Sequence, residues 1–402
     1  MNPDFPTRIA FAEADAIVRQ VAAAHRLPIE RIAVARAAGR VLAEDVIAPI
    51  ALPSFDNSAM DGYALRAADA AASLRIIGEQ FAGALQDLHV GAGECVRITT
   101  GAPMPGGADA VVMKENTRTD DDRVMLTAAV ARGQHVRRTG EDVAVGDLLL
   151  TAGTRLTPVQ ASLAAAVGIA ELPVARRPTV AVFTTGDELR PPGQPLDPGT
   201  IHDSNRALLM NLLVAEGLEP FAWPILPDDP DRMRALLRDA GNAFDVVITC
   251  GGVSAGEKDY LPALLGELGN IHFWKVLMRP GMPLLFGSIG QARMLALPGN
   301  PVSVLATFLT LGRQLLCGLQ AEASPLPKIA AQLSMPITKT HDRREFQRGR
   351  LDYGPDGTLR VAPHPATASH RLRGAADSDC LIVLPEGQQQ LQADALVDVL
   401  RY

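Results

Sequence analysis

The sequence predicts a multidomain α/β plus β protein organised around a central, doubly wound α/β domain. Three observations carry that expectation. From residue 178 to about residue 318, short runs rich in β-branched residues alternate with helical segments, which is the pattern of a mostly parallel sheet. Before and after this stretch, strand candidates bounded by Gly and Pro follow one another without helices between them. The length of 402 residues suggests two to four domains. The expected division is a discontinuous helical domain (1–50 and 146–177), an inserted small β domain (51–145), the α/β domain (178–326) and a C-terminal small β-barrel-like domain (327–402).

In chain order, helical stretches are expected over 8–43, punctuated by Pro28 and Gly39. The clearest is "FAEADAIVRQVAAA", which sets Phe11, Ala14, Val18 and Val21 on one face at helical spacing. From Pro49 the pattern changes, and "ECVRITTG", "ADAVVMKEN" and "RVMLTAAV" read as strands. "TPVQASLAAAVG" returns to helix, with Thr157 as cap, Pro158 in the first turn and Gly168 past the end. Packing of this helix on the N-terminal helices makes the first domain discontinuous. In the α/β domain, "PTVAVFTTG", "DVVITCGG" and "RMLALPGN" are strands running into glycine loops. The intervening helices are expected to be capped by Ser204, Asp229 and Asn300, with Gly217 and Gly241 as stops for the first two. A Pro-rich linker at 323–328 leads to the last strand candidates, "DRREFQRGRLD", "GTLRVAPH" and "CLIVLPEG".

Composition excludes several functions. The net charge of −7 gives no basic face for nucleic acid. Cys95, Cys250, Cys317 and Cys380 are too far apart for a C-x-x-C pair and read as reduced thiols of a cytoplasmic protein. No signal pattern opens the chain, and no apolar run approaching a membrane span is expected. The P-loop, the G-x-G-x-x-G fingerprint and the H-E-x-x-H zinc motif are absent.

In a doubly wound sheet, ligands bind beyond the carboxyl ends of the strands. Three loops there attract attention: Thr184 to Glu188, Cys250 to Asp259, and Leu297 to Pro301. Paired glycines such as Gly251-Gly252 let backbone N–H groups approach an anion, and a following helix N-terminus adds positive potential. The acids Asp187, Glu188, Glu257 and Asp259 can accept hydrogen bonds from an amidine-like edge or hold Mg²⁺; they can equally be ordinary acids at helix N-termini. The second loop also contains Gly252-Val-Ser254-Ala-Gly256, a G-x-S-x-G that raises a serine hydrolase as an alternative. Against it, charged Glu257, Lys258 and Asp259 stand where an apolar helix is expected, and none of the later histidines, His370 included, lies in a triad context. "PSFDNSAMDGYALR" (53–66), "TTGAPMPGGADAVVMKE" (99–115) and "RTGEDV" (138–143) are either surface turns or loops whose Asp56 or Asp61 enters a site.

Taken together, "FDNSAMDGYA", "RITTGAPMPGGADAVVMKE", "RTGEDVAVGD", "FTTGDEL", "HDSNRALL", "CGGVSAGEKDY", "MRPGMPLLFG" and "LPGNPVSVLATF" resemble, in this order, the molybdopterin molybdenumtransferases of the MoeA family, to which the C-terminal region of gephyrin is similar. The resemblance covers essentially the whole chain. It implies that the α/β domain binds molybdopterin. It further implies a homodimer with its active site between subunits, and insertion of molybdate into adenylylated molybdopterin with release of AMP and with Mg²⁺. Other molybdenum-cofactor assembly proteins are possible partners. By motif position it implies catalytic roles for Asp61, Thr100, Asp142 and Glu188, with Asp61, Asp142 and Glu188 near a metal or the reacting centre. Substrate-binding roles fall on Gly251, Gly252, Ser254, Asp259, Asp228, Lys275, Arg279, Pro298, Gly299, Asn300, Arg348 and Ser369. Among these, Lys275, Arg279 and Arg348 are expected to hold oxyanions. The chain departs from the family pattern in four places. Arg279 and Met282 stand where many members have Lys, Cys250 where Ser is common, and His202 where Tyr is common. Met282 leaves that position without a charge. A catalytically silent scaffold of the same fold is the other alternative.

Overall fold

The computed structural model describes residues 5–83, 86–254, 259–323 and 329–402. The α/β domain is a seven-stranded sheet. Its strands are Thr7–Ile9 (β1), Val180–Thr184 (β2), Phe221–Ala222 (β3), Val246–Cys250 (β4), Gly269–Val276 (β5), Leu285–Ile289 (β6) and Ala292–Leu297 (β7). They lie in the order β1-β5-β6-β7-β4-β2-β3, and all run parallel except β6. Its helices are Phe11–Ala24 (α1), Ser204–Ala215 (α2), Pro230–Ala243 (α3), Leu261–Leu268 (α4), Pro301–Thr307 (α5) and Arg313–Leu319 (α6), with a π-helical turn, Phe308–Gly312, joining the last two.

β2 and β4 are buried along their whole length, as expected where helices cover both faces of a parallel sheet. Strand alternation then sorts the side chains. Val180, Val182, Val246 and Ile248 face one core with α1, α2, α5 and α6. Ala181, Phe183 and Val247 face the other with α3 and α4. From β2 the chain passes through α2 to β3 on one side, then through α3 to β4 on the other. The strand order therefore reverses between β2 and β4, and this switch point opens a crevice at their carboxyl ends.

Several local expectations are corrected here. The sequence groups residues 1–50 with 146–177, but β1 and α1 belong to the α/β domain. β1 pairs with the end of β5, and Phe11, Ala14, Val18 and Ala22 of α1 seal the first core. Residues 29–33 are a strand paired with 171–175, so of the helical stretches expected over 8–43 only Phe11–Ala24 is an α-helix. α3 runs past Gly241, which lies flush against β6: a Cβ there would come within 2.8 Å of the Ile289 carbonyl oxygen. The cap of α2 is Asp203, whose carboxylate accepts the Arg206 backbone N–H at 3.0 Å. The run Pro301–Leu319 is long and apolar enough to cross a membrane by length and composition alone, and 89% of that window is buried inside the fold.

The discontinuous domain joins the strand pairs 29–33/171–175 and 46–47/148–150 to the helix Pro158–Ala166 over a core that includes Leu42, Leu156, Leu172 and Val174. Thr157 and Gln160 form a reciprocal capping box at that helix. Arg155 ties this domain to the end of α6 through two hydrogen bonds to Glu322, of 2.9 and 2.6 Å. The inserted domain is a six-stranded sheet spanning residues 62–126, with a further strand pair, 57–58/136–137, beside it.

In the C-terminal domain, strands 344–353, 359–363, 329–333, 396–401 and 380–384 pair in that order, and the last returns to the first, closing a five-stranded barrel. The short strand Met278–Arg279, just after β5, adds in parallel to the barrel strand 344–353. Phe346 and Leu381 of the barrel reach into the first α/β core, so the two domains share buried surface. The linker expected at 323–328 lies, after residue 323, outside the described residues.

Candidate active site

Thr184, Cys250 and Leu297 are direct partners across β2, β4 and β7, so the three loops that follow them leave the sheet side by side. They wall a cavity of about 450 Å³ at the switch point. Glu188, Asp228 and Asp259 lie in its lining, together with Gly251, Gly252 and Gly299. Glu257 and the last glycine of the G-x-S-x-G lie outside the described residues.

Gly251 and Gly186 serve the close packing of these loops. The Gly251 N–H is already bonded to the Leu297 carbonyl at 3.0 Å, and at φ +94° a Cβ would meet the Thr185 hydroxyl oxygen at 2.6 Å. Gly251 therefore lets the β4 loop close against the β2 loop. Gly186, at φ +132°, leaves room for the Glu188 carboxylate to fold back over the chain: a Cβ would lie 2.3 Å from its Oε2. Nor is the N-terminus of α5 open to an anion, since the Val302 N–H donates to the Ser369 carbonyl at 3.1 Å. Asn300 holds the cap position without capping, and its Nδ2 donates instead to Ser369 Oγ at 3.0 Å. Cys250 is buried and donates to the Pro298 carbonyl at 3.5 Å; burial pushes its thiol up, so it stays neutral.

The cavity lining also holds Thr184 and Asp203, part of a cluster with Arg206 that the sequence does not single out. Asp203, only 3% exposed, accepts from Thr184 Oγ1 at 2.6 Å and from Arg206 Nε at 3.1 Å, while Arg206 Nη2 donates to Thr184 Oγ1 at 3.0 Å. The three side chains pin the end of β2 to the start of α2. The "HDSNRALL" stretch held the signal, but Ser204 is the equally good cap beside Asp203.

A second cavity, of about 400 Å³, lies between the α/β domain and the barrel. Arg279, Arg343, Pro298, Ser303 and Ser369 are among its lining. Arg343 was not anticipated. Its Nη1 stands 3.9 Å from the Met282 sulfur, which puts a guanidinium where the sequence leaves a missing cation. Arg279 lies 3.7 Å from Glu345, so part of its charge is balanced. Arg348 also lines this cavity. It is buried in the barrel and donates Nη1 to the Arg371 carbonyl at 2.8 Å and Nη2 to the carbonyls of Ala366 and Ala368. It organises the loop 366–371. Lys275 lies in neither lining; its ammonium sits 4.0 Å over the Trp274 ring. Asn300 and His370 line both cavities, so the two spaces adjoin.

Asp61 and Thr100 are brought together elsewhere, and Asp142 lies on a neighbouring segment of the same domain. The segments 52–61, 99–104 and 138–143 are cross-linked by backbone hydrogen bonds such as Gly101 to Ser58 at 2.8 Å and Asp142 to Leu52 at 3.1 Å. Asp61 Oδ1 accepts the Thr100 N–H at 2.8 Å and its hydroxyl at 3.1 Å. These bonds, the backbone one foremost and with Lys114 adding, hold the Asp61 carboxyl below the usual carboxylate range. Asp56 is built alike, with Thr139 N–H at 2.8 Å, its hydroxyl at 2.9 Å and Arg138 at 2.6 Å. All lie on the surface of the inserted domain, and no described residue of that domain lines either cavity.

The hydrolase alternative fails on geometry. A nucleophile elbow sets its serine at the tip of a tight strand–helix turn. Here Ser254 is four residues past β4, is exposed, and precedes α4 by seven residues.

Comparison with known proteins agrees with the architecture. The MoeA N-terminal region (domain I and II) matches residues 9–168, a probable molybdopterin binding domain matches 181–317, and the MoeA C-terminal region (domain IV) matches 330–402. The chain is 39% identical to the molybdopterin molybdenumtransferase of Haemophilus influenzae over 90% of this chain and 91% of that one. It is 37% identical to that of Synechococcus elongatus over 93% and 94%. A crystal structure of the molybdopterin biosynthesis MoeA protein of Pyrococcus horikoshii superposes with a TM-score of 0.83 at 29% identity, covering 98% of this chain and 100% of the other.

Proposed function

The chain belongs to the molybdopterin molybdenumtransferase (MoeA) family and is an enzyme of molybdenum cofactor biosynthesis, and on that premise we propose that it inserts molybdate into adenylylated molybdopterin with release of AMP. The observation that carries this reading is the pair of adjoining cavities, the first lined by carboxylates and the second by three arginines with one carboxylate, Glu345, among them. The switch-point cavity offers the carboxylates of Glu188, Asp228 and Asp259, which suit the donor-rich edge of a pterin. The second cavity offers Arg279 and Arg343, with Ser303 and Ser369 beside them, which suit a tetrahedral oxyanion. Pterin in the first and molybdate in the second would bring the two reactants together at the shared wall of Asn300 and His370.

AMP leaves when one water adds across the phosphoanhydride, breaking one P–O and one O–H bond and forming one of each. In the exchange, a dithiol and molybdate give a dithiolene-bound oxomolybdenum centre and one water. Two S–H bonds and one Mo–O linkage break, two Mo–S and two O–H bonds form, and molybdenum keeps its oxidation state. The protein's share is positioning and charge. Thr185, Gly251 and Gly299 shape the pterin cavity, Asp203 and Arg206 fix the strand end beneath it, and Arg348 fixes the loop that carries Ser369.

Asp61, Thr100 and Asp142 enter this scheme through a second subunit. We assign them to the cavity of the partner in a homodimer, because on their own chain they lie on an exposed face. Among the described residues, no group of three candidate ligands forms a metal cage. Mg²⁺ commonly binds through one or two carboxylates and substrate phosphate, and Glu188 in the cavity wall fits that mode. When bound, Mg²⁺ would neutralise phosphate charge. A cytoplasmic site of action and docking of other cofactor-assembly proteins belong to the same reading.

The direct test incubates the purified protein with adenylylated molybdopterin, molybdate and Mg²⁺ and follows AMP and cofactor formation. Molybdate-dependent turnover is expected, and its absence sinks the reading. Arg343→Ala should raise the KM for molybdate by about tenfold, the order of one charge-assisted hydrogen bond.

A further inference from the structure

His370 is the one titratable side chain in the described lining of both cavities. In the sequence it stands in no triad context, next to Ser369, for which the family resemblance implies a substrate-binding role. Its place is fixed from two domains at once. The barrel contributes Arg348, whose guanidinium holds the carbonyls of Ala366, Ala368 and Arg371. The α/β domain contributes Asn300, which bonds Ser369 Oγ at 3.0 Å, and the Val302 N–H, which bonds the Ser369 carbonyl at 3.1 Å. The residues on both sides of His370 are therefore tied down while the imidazole itself is exposed. A loop gripped in this way fixes the backbone from which His370 reaches both cavities, which favours proton transfer at their junction.

We propose that His370 is a catalytic residue that carries protons from the dithiol to the departing molybdate oxygen. This rests on the assignment of pterin and molybdate to the two cavities. A ring nitrogen takes the proton of an attacking thiol as the Mo–S bond forms, then delivers it to the molybdate oxygen being displaced. Two such passages convert that oxygen to water. Two S–H bonds and the Mo–O linkage are lost, two Mo–S and two O–H bonds are gained, no electrons are transferred, and the imidazole ends as it began. No other described side chain with a suitable proton borders both spaces: Asn300, the other shared residue, carries an amide that does not titrate.

The test compares wild-type protein with His370→Gln and His370→Ala, using adenylylated molybdopterin and molybdate and following cofactor formation. Glutamine keeps hydrogen bonding without proton exchange. Both variants should lose about 100-fold in kcat with little change in the KM for either substrate, the usual scale of general acid–base catalysis. Added imidazole should restore a measurable part of the rate to His370→Ala, because the freed space admits it. Wild-type kcat in either variant, or a slow alanine variant that imidazole does not rescue, overturns the proposal and leaves a structural role. A wild-type protein that forms no cofactor at all overturns the underlying reaction instead, so the two failures are separable.

Discussion

Asp61 and Asp203 both accept a hydrogen bond from a threonine hydroxyl, at 3.1 and 2.6 Å, yet they sit in opposite surroundings. Asp203 is buried in the wall of the switch-point cavity and shares its charge with Arg206. Asp61 is exposed on the inserted domain, with Thr100 organising one of its oxygens. The same local motif therefore serves two ends. In the α/β domain it stiffens the frame that shapes a cavity. In the inserted domain it holds an ionised group ready on a surface, where a ligand or a second subunit can meet it.

The largest expected effect breaks this contrast at the level of the assembly. Asp61→Ala and Asp259→Ala should each reduce turnover by more than about 100-fold, on the order of losing a group that acts in the transition state, with both proteins folded. If each site combines Asp259 of one chain with Asp61 of its partner, every mixed dimer keeps one intact site. Unfolding and refolding the two variants together should then restore about a quarter of wild-type turnover, by the statistics of random pairing in a two-fold dimer. A mixture as inactive as its components shows that both acids act within one chain. Wild-type rates in the single variants would remove them from the site.

The next effect is on stability and separates frame from surface. Asp203→Ala leaves Arg206 without its carboxylate partner in a largely buried setting and should cost about 3 kcal/mol. Asp56→Ala removes an ion pair with Arg138 that is well exposed, and should cost under about 1 kcal/mol. Denaturant midpoints of the two variants measure the difference. Equal losses would mean that the inserted domain's acids are structural after all.

Residues differ in the same way in how far the sequence revealed them. The three strand-end loops were legible because alternation of strand and helix fixes where a doubly wound sheet binds ligands, and the glycines mark where those strands end. Thr157 as a cap was legible because capping is local: it needs only Gln160, three residues on. What stayed hidden depends on pairing across the chain. β1 has three residues, too few to show a period, and its partner lies more than 260 residues later. Arg343 reads as one of two adjacent arginines until the barrel sets it beside Met282. Arg348 matched a motif, but its burial and its three carbonyl partners follow only from the closed barrel. His370 had no local signal, because its significance is that two domains meet at it.

The smallest expected effect tests the surface motif by itself. The lowered pKa of Asp61 has the Thr100 backbone N–H as its first cause and the Thr100 hydroxyl as its second. A carboxyl lowered in the folded state adds stability above its unfolded pKa, and that contribution is lost as the pH falls through the folded value. Thr100→Ala removes the hydroxyl and leaves the N–H. The Asp61 titration should therefore move up only part of the way, and its charge should begin to be lost at a higher pH than in the wild type. Carboxyl-carbon NMR titration of the two proteins measures this directly, and the acid limb of the turnover profile should move in the same direction if ionised Asp61 acts in the reaction. A midpoint that does not move would leave the backbone N–H as the only part of the motif that matters. Position 100 would then need its loop geometry and not its threonine.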